Sequence, residues 1–357
     1  MSEKLHIAIA CGGTGGHIFP GLATARVLRD RGHHVTLWLA GKGGENTAVQ
    51  GWEGKIVTIP SEGFQFGAFR SVVTALRIAG AVLRCWVIML RHRPDVVLAM
   101  GSYASIGPCL AARLRGIPYI LHEANAVPGR AVKLLAPKAC AIAICFEETR
   151  YHLKGMNAVS AGMPLRPEIQ APPSRSRESG FNLLVMGGSL GAHAINEMVS
   201  EAICSLKNPA VSVTHLTGAA DEKAVAERYR AAGVKADVRA FTHDMVSLYE
   251  KAALAICRSG ASTCAELGVF SLPALLIPYP HAAGDHQTAN ARALEKFGAA
   301  DVIRQSDMTV EWLKEYIKAQ MDDPSRLEKM SARSAARKVP LNAASILAGV
   351  VEECART

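Results

Sequence analysis

The chain has 357 residues, 49% hydrophobic and 20% charged, with a formal net charge of +9. This composition excludes a disordered or fibrous chain, and the length favours two domains of ordinary size. The positive charge points to an anionic partner: nucleic acid, anionic lipid or a phosphorylated substrate.

Residues 5–10 form an apolar run that predicts a buried parallel strand, and residues 20–28 have helical composition. Between them, Cys11-Gly12-Gly13-Thr14-Gly15-Gly16-His17 puts four glycines into five positions of a strand-to-helix turn. Such a turn lets the backbone approach a ligand and leaves N–H groups at a helix N-terminus, which suits a phosphate or another developing anion. A Walker A loop is excluded, because His17 and Ile18 follow Gly16 where Lys and Ser or Thr are needed. A dinucleotide fingerprint fails too. Ile18 stands in place of a third glycine, and the second strand, 35–40, ends at Gly41 without a carboxylate. His17 at the loop's end is either a general base facing a ligand or a helix cap that packs.

Further strands are predicted at 55–60, 94–101, 118–122 and 139–144, with helices at about 71–92, 106–115 and 129–135 between them. Short apolar strands separated by helices mean a parallel sheet covered on both faces. Ligands of such sheets bind beyond the strands' carboxyl ends, where the glycine loop, Gly101-Ser102-Tyr103 and His122-Glu123-Ala124-Asn125 are expected to collect. Around the helix over 71–92, Arg70, Arg77, Arg84 and Arg91 recur every seven residues, a row that drifts about 20° per heptad. Phe66, Phe69, Leu76 and Trp86 lie alongside. An apolar face bordered by arginines suits a surface resting on anionic lipid; the other reading is a core helix with a solvated arginine row. No eighteen consecutive apolar residues occur, so these runs are expected to be too short to span a bilayer.

Pro164, Pro167, Pro172 and Pro173, with Ser174-Arg175-Ser176-Arg177, predict a linker over 164–180 between domains at 1–163 and 181–340. The opening theme then recurs as strand 181–186, Gly187-Gly188-Ser189-Leu190-Gly191-Ala192-His193 and a helix. Strands near 211–216, 238–241, 254–257 and 274–278 continue the alternation, and 341–357 is a helical tail whose docking is unread. Two doubly wound domains, each opening on a glycine turn, are expected to face each other across a cleft that holds the ligand. Nine cysteines, odd in number and without a C-x-x-C pair, predict reduced thiols and no zinc module. Aromatic residues at 6%, without a basic and aromatic platform, argue against nucleic acid.

The residues 12–21, Pro94-Asp95-Val96-Val97, His122-Glu123-Ala124-Asn125, Gly187-Gly188-Ser189, 257–266, Pro278-Tyr279-Pro280-His281 and 285–290, in this order and spacing, resemble the N-acetylglucosaminyltransferases of glycosyltransferase family 28 that act in peptidoglycan synthesis. The likeness covers nearly the whole chain. It implies the α/β GT-B fold of two Rossmann-like domains. It also implies an inverting hexosyltransferase reaction that needs no metal or cofactor: N-acetylglucosamine passes from UDP-N-acetylglucosamine (UDP-GlcNAc) to the C4 hydroxyl of the muramoyl sugar of lipid I, an undecaprenyl-diphosphate acceptor, giving lipid II. The implied setting is the anionic cytoplasmic face of the inner membrane, among other cell-wall synthesis enzymes.

Carried over residue by residue, the resemblance implies that Ser189 and Ala261-Ser262-Thr263-Cys264-Ala265 hold the diphosphate and that Glu266 accepts from the ribose hydroxyls. The backbone at Phe241-Thr242 would meet the uracil, Arg166 would pair with the diphosphate, and Gln287 and Asn290 would read sugar hydroxyls. Thr14, Gly15, Gly16 and Asn125 approach from the first domain. His17 is the first candidate for the base; Glu123 orients it, acts in its place, or makes a structural hydrogen bond under its turn. The sequence has no Asp-x-Asp pair, so the departing charge falls to helix N-termini and an arginine. Leu190, Gly284 and Gly101-Ser102 depart from the family pattern, which has glutamine, commonly an acidic residue, and a double glycine there. The alternatives are another GT-B UDP-sugar transferase or epimerase acting on a soluble substrate, and a non-catalytic UDP-sugar sensor.

Overall fold

The computed structural model describes residues 4–41, 45, 49–59, 68–169, 180–188 and 191–356, with only the backbone described at 68–72. The chain divides into two compact units, Met1–Pro167 with Pro340–Thr357, and Glu168–Val339. The first break falls inside the expected linker. The second returns the terminal helix to the first unit.

In the first unit, β1 (His6–Ala10), β2 (His34–Leu39), β3 (Lys55–Thr58), β4 (Val96–Ala99), β5 (Tyr119–Glu123), β6 (Ala141–Ile144) and β7 (Ala158–Ser160) form a parallel sheet in the order 3-2-1-4-5-6-7. Successive side chains point to opposite faces, so Ile7 and Ile9 enter one core and Ala8 and Ala10 the other. Both faces are covered, which is why these strands read as unbroken apolar runs. Helices Gly15–Asp30 and Ala343–Cys354 pack on the first face, and Ala68–Arg91 with Ile106–Leu114 on the second. Strand order reverses between β1 and β4, the switch point where a ligand crevice opens beyond the strand ends.

The terminal helix is held by buried Leu347, Ala348 and Val351 and by polar contacts of Glu352. The Glu352 carboxylate accepts from Arg31 Nη1 at 2.8 Å and meets His33 Nε2 at 3.0 Å. The expectation of nine reduced cysteines is corrected here. Cys140 and Cys354 form a disulfide, with Cα atoms 6.1 Å apart. They are 214 residues apart in sequence, and only the return of the last helix to β6 brings them together.

In the second unit, β8 (Phe181–Met186), β9 (Val211–Leu216), β10 (Lys235–Arg239), β11 (Leu254–Cys257), β12 (Ala274–Leu276) and β13 (Asp301–Val302) form a parallel sheet in the order 10-9-8-11-12-13. Strand β10 starts three residues before its expected position, because an edge strand alternates exposed and half-buried residues and shows no apolar run. Strands β7 and β13, three and two residues long and largely half-buried, carry no such run either.

Candidate functional site

In the first unit the three expected loops do meet. The Ser102 hydroxyl donates to the Gly12 carbonyl at 2.6 Å, and a Cβ on Gly101 would lie 2.8 Å from the His122 carbonyl. Gly12 is pressed against the turn after β2, where a Cβ would come within 2.3 Å of the Ala40 nitrogen. Helix Gly15–Asp30 begins after Thr14, whose backbone is extended and whose hydroxyl makes no capping bond to the helix. That hydroxyl is instead hydrogen-bonded to His17 Nδ1 at 3.0 Å. Thr14 and Gly16 are exposed, and Gly15 and His17 half-buried. The loop therefore presents an imidazole fixed by its neighbour, beside the positive end of a helix.

Sequence reasoning missed Glu45. Its carboxylate is 2% exposed, accepts from the Gly13 N–H at 2.7 Å through Oε1, and accepts from the Gly41 N–H at 2.7 Å through Oε2. Glu45 lies four residues beyond Gly41, past the position where an acid closing the second strand is expected.

Glu123 is 3% exposed. Its Oε1 accepts from the backbone and side-chain N–H groups of Asn125 at 2.9 and 3.1 Å, and its Oε2 accepts from the Gly129 N–H at 2.8 Å. Burial holds its pKa above the usual carboxylate value, against the pull of those N–H groups. Of the readings open for Glu123, the geometry displays the hydrogen-bonded turn, with Asn125 half-buried on it. Beside it, His122 is buried with Nε2 at 3.3 Å from both the Gly162 carbonyl and the Cys145 sulfur. Burial pushes the Cys145 thiol up, away from the thiolate form.

Burial also pushes His122 down to about 4, and His215 in the second unit down to about 3. Both fold as neutral imidazoles, whereas in the unfolded chain they protonate near 6.5. Their contribution to stability is complete above that value and is lost as pH falls from there through about 4 for His122 and about 3 for His215. By pH 4.5 each should cost about 2–3 kcal/mol. The denaturant midpoint is therefore expected to fall between pH 7 and pH 4.5, less steeply in His215→Gln. An equal slope in both proteins would contradict the assignment.

In the second unit Ser189 and Leu190 lie outside the described residues. Gly191 has φ +78° and a Cβ there would sit 2.1 Å from the Thr217 carbonyl. Beneath it lies a buried network that sequence reasoning did not find. The Asn196 amide donates to the Thr217 carbonyl and to Asp221 Oδ2, both at 2.8 Å, while Asn196 Oδ1 accepts from His215 Nε2 at 3.1 Å. Partnered networks of this kind stiffen the elements they join.

Helix Ala261–Val269 starts after Gly260, and Ala261, Ser262 and Thr263 are half-buried in its first turn, where N–H groups lack intrahelical partners. Cys264 is buried, burial pushes its thiol up to about 12, and its N–H donates to the Gly260 carbonyl. One turn on, Ala265 and Glu266 are half-buried, and the Tyr249 hydroxyl donates to Glu266 Oε2 at 2.6 Å. Tyr249, 17 residues upstream, has no sequence signal linking it to this acid. Gln287 Oε1 accepts from the Tyr279 N–H at 3.0 Å. Asn290 is fully buried, and its amide donates to the Ser259 carbonyl at 3.1 Å, so in this arrangement it braces the turn before the helix. Thr242 is half-buried beside the exposed ring of Phe241, and its hydroxyl accepts from the Asp244 N–H at 3.1 Å. Arg166 is half-buried and belongs to the first unit.

A third feature is the helix Ala68–Arg91. Phe66 and the side chains of Phe69 and Arg70 lie outside the described residues. Thr74, Cys85 and Met89 are buried, Trp86 is half-buried, and Leu76, Leu83, Leu90, Arg77, Arg84 and Arg91 are exposed. Its apolar side continues onto Ile106–Leu114 as a groove of about 730 Å³ lined by Ile78, Val82, Leu83, Trp86, Leu110 and Leu114. By length and composition Val73–Arg91 could cross a membrane, which corrects the expectation that its apolar runs are too short. That expectation counted uninterrupted runs, and Arg77 and Arg84 interrupt a helix that is apolar on average. The packed face keeps the helix against its own domain.

Comparison with known proteins places these loops in a family. The N-terminal domain of glycosyltransferase family 28 matches residues 7–144 and its C-terminal domain matches 182–346. A protein of Hahella chejuensis named UDP-N-acetylglucosamine--N-acetylmuramyl-(pentapeptide) pyrophosphoryl-undecaprenol N-acetylglucosamine transferase is 38% identical over 93% of each chain. One of Anaeromyxobacter with the same name is 39% identical over 99% of this chain and 94% of its own. The crystal structure of Acinetobacter baumannii MurG superposes with a TM-score of 0.82 at 30% identity, covering 98% of this chain and 99% of that one.

Proposed function

The chain belongs to glycosyltransferase family 28, and on that premise we propose that it is an N-acetylglucosaminyltransferase of peptidoglycan synthesis. It moves N-acetylglucosamine from UDP-GlcNAc to the C4 hydroxyl of the muramoyl sugar in lipid I and produces lipid II. The observation that carries this reading is 38% identity over 93% of both chains, a span that takes in both units, with a transferase of that name.

The second unit takes the donor. The first turn of Ala261–Val269 and the loop at Gly187–Gly188 offer backbone N–H groups to the diphosphate, with Arg166 as the pairing cation. Glu266, held by Tyr249, accepts from the ribose hydroxyls. The Phe241-Thr242 backbone meets the uracil, and Gln287 reads the sugar while Asn290 braces the turn beneath it. The first unit takes the acceptor, with His17 as base and Thr14, Gly15, Gly16 and Asn125 around the sugar. In an inverting displacement the acceptor oxygen attacks C1 as the bond to UDP breaks, and its proton passes to His17. Glu123 acts by holding the Asn125 turn. Charge on the departing UDP is met by helix N-termini, so no metal is invoked.

The helix Ala68–Arg91 rests its exposed leucines on the cytoplasmic leaflet and its arginines on anionic headgroups, which makes the protein peripheral. Other cell-wall enzymes are proposed to gather on the same surface of the membrane.

Incubation with labelled UDP-GlcNAc and a lipid I analogue tests the reading. A labelled disaccharide-lipid is expected. UDP-N-acetylmannosamine formed without acceptor would mark an epimerase, and binding without conversion a sensor. Glu266→Ala should raise the donor KM about 10- to 100-fold with kcat within about threefold, the loss of hydrogen bonds to a charged acceptor. An unchanged KM would remove the ribose contact.

A further inference from the structure

The first glycine turn has the geometry of an anion site, yet an anion from this chain already occupies it. Backbone N–H groups of Gly13 and Gly41, from the turns after β1 and β2, converge on the two oxygens of Glu45 at 2.7 Å each, with the Ala40 N–H at 3.4 Å from Oε1. Convergent backbone N–H groups of this kind bind phosphates and carboxylates. The fit is close: Gly13 has φ +124° and Gly41 φ +78°, and a Cβ on Gly41 would lie 2.7 Å from Thr58. Gly13 in turn abuts the base, since a Cβ built on it would lie 3.9 Å from His17 Nδ1.

We propose that Glu45 is a positioning residue: it fills the anion hollow of the first glycine turn and fixes the backbone under His17. The Gly13 and Gly41 N–H groups tie the turns after β1 and β2 to one carboxylate, so the imidazole beside Gly13 stands on a braced turn. This rests on His17 as the base of the proposed transfer.

The test uses Glu45→Ala and Glu45→Gln with sodium formate as the probe. In Glu45→Ala, kcat should drop 10- to 100-fold with the donor KM within about threefold, and formate, a carboxylate small enough to re-enter the hollow, should restore at least a third of the loss. Glu45→Gln keeps the volume but turns an amide towards a backbone donor; the same kcat drop is expected without formate rescue. If Glu45→Ala unfolds at the wild-type temperature and its kcat is unchanged, or formate restores nothing, the inference is wrong. If it does not fold, Glu45→Gln decides by the kcat and KM split, and unaltered kinetics overturn the inference. Failure of the proposed function is read separately, as a wild type that forms no product.

Discussion

His17→Ala is expected to lower kcat by about 10²- to 10⁴-fold while the donor KM stays within about threefold, the effect of removing a positioned general base. The half-buried imidazole is fixed at Nδ1 by the Thr14 hydroxyl 3.0 Å away, at the start of a helix that leads out of the central strand. Both oxygens of Glu123 accept N–H groups of its own turn, which fits the holding role proposed for it. Loss of Glu123 should therefore show first in stability and loop order, whereas loss of His17 should show in turnover of a protein with the wild-type unfolding temperature. Steady-state kinetics with varied donor at saturating acceptor separate the two. A His17→Ala protein with full kcat would leave the first unit without an identified base.

The second large effect concerns the membrane. Replacing Arg77, Arg84 and Arg91 together by glutamine should weaken binding to vesicles containing anionic lipid by about 10²-fold, since each basic residue near such a surface contributes about 1 kcal/mol. The three guanidinium groups are exposed along one helix, next to Leu76, Leu83 and Leu90. The loss should diminish as salt is raised, because the wild type then loses the same attraction. Turnover of a short-chain, water-soluble acceptor should stay within about twofold. Sedimentation with vesicles at low and moderate salt measures this directly. Undiminished binding of the triple variant would assign the exposed arginines to solvent alone.

Much of the fold was legible because both sheets are buried on both faces. Leu98, Ile120 and Leu184 leave no water-facing alternation to confuse the reading, and the glycine turns mark where strands give way to helices. The edges were harder. Strand β10 exposes Lys235, Asp237 and Arg239, so its apolar content is thin. At the site, residues inside motifs could be found, but their supports could not. Tyr249 reaches Glu266 from a separate helix, and Asn196 ties together Thr217, Asp221 and His215 only once β8 and β9 are paired. Glu45 escaped for the same reason: the groups that identify it are backbone N–H groups, which carry no letter in the sequence. The Cys140–Cys354 bridge was hidden by a chain that crosses to the second unit and back.

Transfer of a sugar from a nucleotide to a lipid-linked acceptor without a metal predicts how UDP is released from UDP-GlcNAc in EDTA, with and without a lipid I analogue. Release that depends on the analogue, matches disaccharide formation mole for mole and survives chelation is the predicted result. Release at the same rate without the analogue, or activity that disappears in EDTA and returns with a divalent cation, would contradict it.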